Sequence, residues 1–185
     1  MSYSFTLHSL ESLESSWNEL QHKLTWGSVF VLPQWLKVWW QVFGEGYELH
    51  LFDVKEAKSI IGIAPLMVKD GKASFIGSNE VCDYMDFAVA PGKERAFFTA
   101  LLDKLKHDNI TELCLESLRH DSTVMTYLAD LAKAEGCRIT VTRENVSLDL
   151  DLPSTWDSYL RTLNPKQRRE IGRKFRRLEE EGDIN

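Results

Sequence analysis

Residues 47–77, YELHLFDVKEAKSIIGIAPLMVKDGKASFIG, contain the strongest strand pattern in the chain. Three runs within it have the apolar content and spacing typical of β-strands: Tyr47 to Val54, Ser59 to Val68 and Ala73 to Ile76. The segment Lys69-Asp70-Gly71 separates the last two runs and is a turn signal. The sequence therefore predicts an antiparallel meander over these residues.

Before the meander, the sequence predicts one strand and two helices. Tyr3 to His8 alternates as a strand, Ser12 to Leu24 has the spacing of an amphipathic helix, and a second helix runs from Pro33 to Phe43. The apolar residues of the second helix cover most of its circumference, so we expect it to be well buried; they are Trp35, Leu36, Trp39, Trp40 and Phe43.

After the meander, helices and strands alternate. The apolar run Tyr84 to Ala90 extends the third strand of the meander or adds a fourth. The remaining predicted elements, in order, are a helix over Lys93 to His107, a strand over Thr111 to Glu116, a helix over Ser122 to Glu135 and a strand over Arg138 to Thr142. The pattern predicts a mixed α/β sheet within a first domain, residues 1–145.

From residue 146 the opening order of strand, helix and helix is repeated. Val146 to Leu150 alternates as a strand, Ser154 to Leu163 is helical in pattern, and a basic helix follows Asn164. Asn164 is a good N-cap with Gln167 as its capping-box partner, and Gly182 is a typical C-terminal stop. We expect residues 146–185 to be the start of a second domain that is truncated after its basic helix. A dimer that completes this domain is an open alternative.

The basic helix separates its residues by face. Ile171, Phe175 and Leu178 fall on one narrow arc, and Arg169, Arg173 and Arg176 are among the basic residues opposite. Such a stripe is either a solvated helix face or a surface for an anionic acceptor, so we take these three arginines as candidate substrate-binding residues.

Charge and composition exclude several classes of protein. Residues 161–185 hold eight basic and five acidic residues, whereas residues 1–160 hold 14 and 23, a formal charge of −9. General binding to duplex DNA is therefore not expected. No secretory signal and no apolar run long enough to span a bilayer is visible, and the three cysteines are widely spaced. We expect a cytoplasmic protein with reduced thiols. The scattered histidines predict no metal site.

Further candidate substrate-binding residues lie in two segments of the first domain. Phe30 and Trp35 stand near a loop and a helix start, where aromatic rings can line a cleft; core packing is the alternative for them. Asp83 and Asp86 flank Tyr84, and two nearby carboxylates suit acid–base chemistry or, more commonly, the capping of turns. The catalytic residues themselves are not evident from the sequence.

Four segments carry a resemblance to a known family, and together they cover most of the chain. They are Phe30 to Trp39, Ile61-Gly62-Ile63-Ala64-Pro65-Leu66, Phe75-Ile76-Gly77 with Asp83-Tyr84-Met85-Asp86, and the basic helix ending Arg177-Leu178-Glu179-Glu180-Glu181-Gly182. In these segments and in its element order the chain resembles the FemAB-like acetyltransferases of the cellulose-biosynthesis (CelD/BcsL) type. Those proteins pair two domains of the GCN5-related N-acetyltransferase (GNAT) fold.

The resemblance implies acyl transfer from acyl-CoA to an amine or hydroxyl of a sugar or envelope precursor. A GNAT domain holds the cofactor diphosphate on a loop of the form Arg/Gln-x-x-Gly-x-Gly/Ala at a helix start, where small residues admit the phosphates. Here Lys93, Ala96 and Phe98 stand at the three key positions. We expect Phe98 to fill the space, so that this fragment binds no cofactor and is inactive alone, acetyl-CoA being the cofactor of the missing second domain.

A second function stays open. The chain could be a non-enzymatic interaction module whose basic helix, residues 165–181, binds a protein partner, RNA or an anionic surface. Salt-dependent binding that is lost on reversing the arginine charges would favour this alternative.

Overall fold

The computed structural model describes residues 3–146 and 150–182 and divides the chain into two compact units, Met1–Glu144 and Asn145–Asn185. The first unit contains the sheet. The second contains two helices, and each unit is described below by itself.

The first unit is built on a six-stranded sheet with the order β1-β2-β3-β4-β6, and β5 pairs with β3. The strands are β1 (Tyr3–Leu7), β2 (Glu48–Glu56), β3 (Ser59–Lys69), β4 (Lys72–Phe75), β5 (Ala88–Val89) and β6 (Glu112–Cys114). Every pairing is antiparallel except that of β4 with β6, which is parallel. The meander and the mixed α/β class predicted from the sequence are confirmed.

The helices of the first unit are α1 (Leu10–Ser15), α2 (Trp17–Leu20), α3 (Pro33–Phe43), α4 (Glu94–His107) and α5 (Ala129–Ala134). A 3₁₀ turn, Val29–Val31, precedes α3, and a π-helical turn, Val124–Leu128, leads into α5. The predicted helix over residues 12–24 is split at Ser16, whose hydroxyl donates to the carbonyl of Ser12. This side-chain bond offers the backbone an alternative to a continuous helix.

The core lies between the sheet and α4 and is rich in aromatic rings. Phe97 and Phe98 on α4 are both fully buried, and their ring centroids are 5.2 Å apart. Phe87 contacts both, at 5.5 Å from each. Gly62 on β3 lies directly against Phe97, because a Cβ added there would be 2.4 Å from the Phe97 ring. Only glycine lets the strand approach the helix this closely.

Three expectations about the first unit are corrected. α3 is not buried all round: Leu36 and Trp39 are buried, but Phe43 is 50% exposed. The run Tyr84 to Ala90 forms strand only at Ala88–Val89. Residues 138–142 form no strand. They are exposed and pair with no strand in the described part of the chain. Alternation of apolar and polar residues is not sufficient for a strand when no sheet edge is available for pairing. The strand expected at 146–150 falls largely outside the described residues.

The second unit contains α6 (Trp156–Thr162) and α7 (Pro165–Glu181). The predicted capping box is present, with the Asn164 side chain accepting the amides of Lys166 and Gln167 at 3.0 and 2.9 Å. Arg168 donates to the carbonyls of Leu160 and Leu163 at 2.9 and 3.1 Å and so satisfies the end of α6. The two helices meet through the Trp156 and Phe175 rings, 5.3 Å apart.

The capping box yields a direct test of the second unit. Replacing Asn164 with Ala removes the side-chain acceptor of both capping hydrogen bonds and should destabilise α7 by about 1 kcal/mol. Hydrogen exchange of the backbone amides of residues 166–170 in the full chain measures the loss as faster exchange. Asn164→Asp is the matched control because aspartate caps equally well. Equal exchange in the Ala variant and the parent would contradict the expected effect.

Candidate functional site

The candidate site lies where β4 and β6 end. They are the only parallel neighbours among the described residues, and their carboxyl ends lead into two loops, residues 76–87 and 115–123. In α/β sheets, ligands bind at the carboxyl ends of strands where the chain order changes direction. β4 and β5 pair with the same edge of β3, one after the other along that strand. Residues 76–87 leave this edge after β4 and return to it at β5, and we call this segment the excursion.

The two loops touch and leave only a small cavity between them. The amide of Met85 donates to the carbonyl of Ser117 at 3.0 Å. The cavity beside this bond has a volume of about 20 Å³, room for one water molecule. This crevice is lined by Ser74, Ser78, Asn79, Cys114, Glu116 and Ser117, together with Phe75, Gly77 and Met85, and most of its lining surface is apolar. The mouth can offer hydrogen bonds to a polar ligand, but the interior cannot admit one.

Backbone strain is found in both loops. Tyr84 and Ser117 have φ of 55° and 56°, the left-handed region that side chains other than glycine rarely adopt. Such strain persists only where the surrounding structure fixes it, and it concentrates at functional sites. The Arg119 guanidinium lies over the Tyr84 ring, 5.5 Å from its centroid, and connects the two loops a second time.

Asp86, a predicted substrate-binding residue, is occupied by the protein itself. Its carboxylate accepts the amide of Thr123 at 2.7 Å, the hydroxyl of Thr123 at 2.6 Å and the amide of Phe87 at 2.9 Å. It therefore caps the helical segment that begins at Val124. Burial raises the pKa of Asp86, and the bonds from Thr123 and Phe87 only partly offset the effect. The role is structural, as the turn-capping alternative allowed.

The raised pKa of Asp86 has a measurable consequence. A carboxyl group whose pKa is higher in the folded state stabilises the protein less as pH rises from its unfolded pKa through its folded pKa. We expect Asp86→Asn to be destabilising by about 1–3 kcal/mol, because one of the bonds to Thr123 is lost. The difference from the parent should be largest at low pH and shrink towards neutral pH. Urea titrations at several pH values measure it, and a difference that grows with pH would contradict the assignment.

Phe30, Trp35 and Asp83 lie around the same excursion. The Phe30 and Trp35 rings form an edge-to-face pair with centroids 5.0 Å apart. The Trp35 indole N–H donates to the Sγ of Cys82 at 3.4 Å, so this aromatic pair contacts the segment that carries both aspartates. Asp83 is exposed. The structure thus brings together four of the seven candidate residues.

At the start of α4, the family's position for the cofactor diphosphate, the arrangement of side chains differs from the one expected from the sequence. Phe98 does not face the helix start; it is fully buried in the core. The steric reason given for the loss of cofactor binding is therefore wrong. Instead, the Glu94 carboxylate accepts the amide of Gly92 at 3.1 Å, and the Lys93 ammonium pairs with Glu56 at 2.7 Å. A carboxylate on the loop amide and a neutralised lysine do not suit a diphosphate.

Comparisons with known proteins were made for the whole chain. No family model matches it, and no curated protein sequence does. The ribosomal-protein-S18-alanine N-acetyltransferase from Escherichia coli is similar over 73% of this chain and 76% of its own, with 18% identity and a TM-score of 0.41. An aminoglycoside antibiotic 6'-N-acetyltransferase from Acinetobacter haemolyticus is similar over 82% of this chain and 100% of its own, with 17% identity and a TM-score of 0.42. Neither likeness transfers a substrate or a residue role to this chain.

The three candidate arginines lie on α7 in the second unit, and two of them are engaged there. Arg173 makes two bonds to Glu170, at 3.0 and 2.6 Å, and Arg169 donates to the carbonyl of Pro165 at 3.2 Å. Arg176 is exposed. The basic stripe is therefore weaker as an anion-binding surface than the sequence alone indicates.

Several residues of the crevice were not singled out from the sequence, among them Ser78, Asn79, Cys114 and Ser117. The usable signal was their position directly after two strands that a helix connects. Cys114 is exposed as a whole residue, but local desolvation around its thiol raises the pKa, and the charges of Glu116 and Glu112 raise it further, so this thiol is a poor nucleophile. No group of three potential metal ligands comes together among residues 3–146 and 150–182. In the same residues no helix has the length and apolar character needed to cross a bilayer.

Proposed function

We propose that this chain is the N-terminal, non-catalytic half of a two-domain, FemAB-like acyltransferase of the GNAT type. The intact protein would move an acyl group from acyl-CoA to an amine or hydroxyl of a sugar or envelope precursor. One observation carries the proposal: an otherwise antiparallel sheet contains a single parallel pair among its described strands, β4 and β6, joined through α4, with a small crevice at its carboxyl end.

The size of the crevice supports a non-catalytic role. A cavity of about 20 Å³ cannot hold a thioester arm, because ligand pockets are typically about 300–1,000 Å³. The Met85–Ser117 bond closes the place where the two strands separate. The second domain, which begins in residues 145–185, would then supply the acyl donor site.

The role of this half would be to form one wall of the acceptor cleft. The outer side of the excursion presents Asp83 and the 41% exposed ring of Tyr84, and the Phe30–Trp35 pair contacts its inner side. An aromatic ring beside polar groups suits a ligand with hydroxyls and an apolar face. In the second unit, taken by itself, the exposed Arg176 stays a candidate contact for an anionic acceptor.

A thiol-release assay tests the catalytic part of the proposal. The full chain is incubated with acetyl-CoA and a panel of amino sugars, and free thiol is measured. We expect no release above the protein-free rate. Release that depends on both the chain and an acceptor would contradict the assignment of this half as non-catalytic.

The interaction-module alternative is less favoured, since Arg169 and Arg173 already have partners within the second unit. Binding of RNA or anionic vesicles that is abolished by the triple change of Arg169, Arg173 and Arg176 to Glu would restore it.

A further inference from the structure

We infer that Glu94 is the residue that excludes a diphosphate from the start of α4, and that Met85 blocks the crevice between the ends of β4 and β6. This inference deepens the proposed non-catalytic role and rests on it. The inferred reason for the loss of diphosphate binding is the negative charge of Glu94 and not the bulk of Phe98, because the Phe98 ring is in the core.

The backbone at the start of α4 is otherwise suitable for an anion. The amides of Glu94, Arg95 and Ala96 begin the helix and have no intrahelical acceptor. Gly92 has φ of 78° and nothing within 4 Å of the place where a Cβ would lie, so a ligand could approach it closely. Pro91, Gly92 and Lys93 are all exposed. Steric exclusion is therefore absent along this loop.

The charges of this loop disfavour a bound phosphate, because the Glu94 carboxylate is already an anion at this position. The Glu94 carboxylate already accepts the Gly92 amide at 3.1 Å, so the side chain takes the position of the ligand's oxygen. A phosphate placed there would meet a like charge within bonding distance. Lys93, the cation at the family's basic position, is held by Glu56 at 2.7 Å, and Arg95 is left as the exposed positive charge of the first turn.

The second place, between the ends of β4 and β6, is filled by Met85. This side chain is 3% exposed, and its Cε would lie 2.9 Å from a Cβ added at Gly77. The hydrogen bond from the Met85 backbone N–H to the Ser117 carbonyl holds residues 76–87 across the crevice. The thioester end and the diphosphate end of a cofactor would thus each meet an atom of the chain.

The test uses the full chain, inorganic pyrophosphate and amide NMR. In the parent we expect no saturable shift of the Gly92, Arg95 or Ala96 amides. In Glu94→Gln the repulsion is removed while the loop geometry is kept, so we expect saturable shifts at these amides and at least tenfold tighter binding. Asp103→Asn is the matched control, because it removes one exposed negative charge from the same helix beyond its first turn. It should behave as the parent does.

Equal binding by the parent and Glu94→Gln would overturn the inference, and so would a lack of binding by both. These outcomes leave the proposed function intact, because pyrophosphate binding does not report on acetyl-CoA, which is titrated separately. Saturable binding of acetyl-CoA by the parent would instead contradict the proposed function itself. Circular dichroism of each variant confirms that the fold is unchanged before the titrations are compared.

Discussion

Gly62→Ala should destabilise the first unit by about 2–3 kcal/mol, the upper range for overpacking a core. The new methyl group would lie 2.4 and 2.6 Å from two atoms of the Phe97 ring. That ring cannot move aside, because it is fully buried between Phe87 and Phe98. Urea unfolding followed by circular dichroism measures the change.

Two further variants separate this clash from a general effect of losing glycine. Gly27→Ala has nothing within 4 Å of the added Cβ and should change stability by less than about 0.5 kcal/mol. In a Phe97→Leu background the ring is gone, so Gly62→Ala should cost less than in the parent, a coupling that a double-mutant cycle measures. A full, additive cost in that background would show that the ring is not responsible.

Asp53→Asn should lower the free energy of unfolding by about 2–3 kcal/mol, because it removes a buried, charged hydrogen-bond acceptor and leaves its partners without it. Asp53 is a charged residue on the inner strand β2 and is only 1% exposed. Its carboxylate contacts His8 Nε2 at 3.0 Å and Lys55 Nζ at 3.4 Å and accepts the Thr6 amide at 3.2 Å. The group therefore ties β1 and the start of α1 to β2.

The same variant should remove part of the acid sensitivity of the fold. Burial by itself would raise the pKa of Asp53, but the bond from His8, the charge of Lys55 and the Thr6 amide outweigh it and lower the pKa. A lowered pKa contributes stability above the unfolded pKa, and this stability is lost as pH falls through the folded pKa. The difference between the parent and Asp53→Asn should thus shrink below about pH 4. A difference that stays constant there would contradict the ion-pair account.

Local pattern was sufficient for the elements with strong start and stop signals. The bounds of α3 were predicted exactly, from Pro33 to Phe43, because proline suits the first helical turn and glycine follows the last. The capping residues of α7 were identified for the same reason. The strand predicted over residues 138–142 is wrong because a strand needs a partner, and alternation along the chain does not show whether a partner edge exists. The run 84–90 does add a strand, but only at Ala88–Val89, where it meets β3.

The candidate site was harder to predict because its contacts join distant segments. The Met85–Ser117 and Asp86–Thr123 bonds connect loops that follow different strands, and no periodicity links them. Phe98 shows the limit of a motif alignment. The alignment placed it at a cofactor position, but the helix rotation that points Leu101 and Leu102 inward also turns Phe98 into the core. Glu94, one turn before Phe98, has no place in that alignment, yet its carboxylate accepts the Gly92 amide of the same loop.

Isothermal titration of the 185-residue chain with acetyl-CoA tests the central claim most directly. The closed crevice and the Glu94 carboxylate predict no saturable heat at millimolar ligand. A one-to-one isotherm with micromolar affinity would contradict the claim that the crevice and the start of α4 exclude the cofactor.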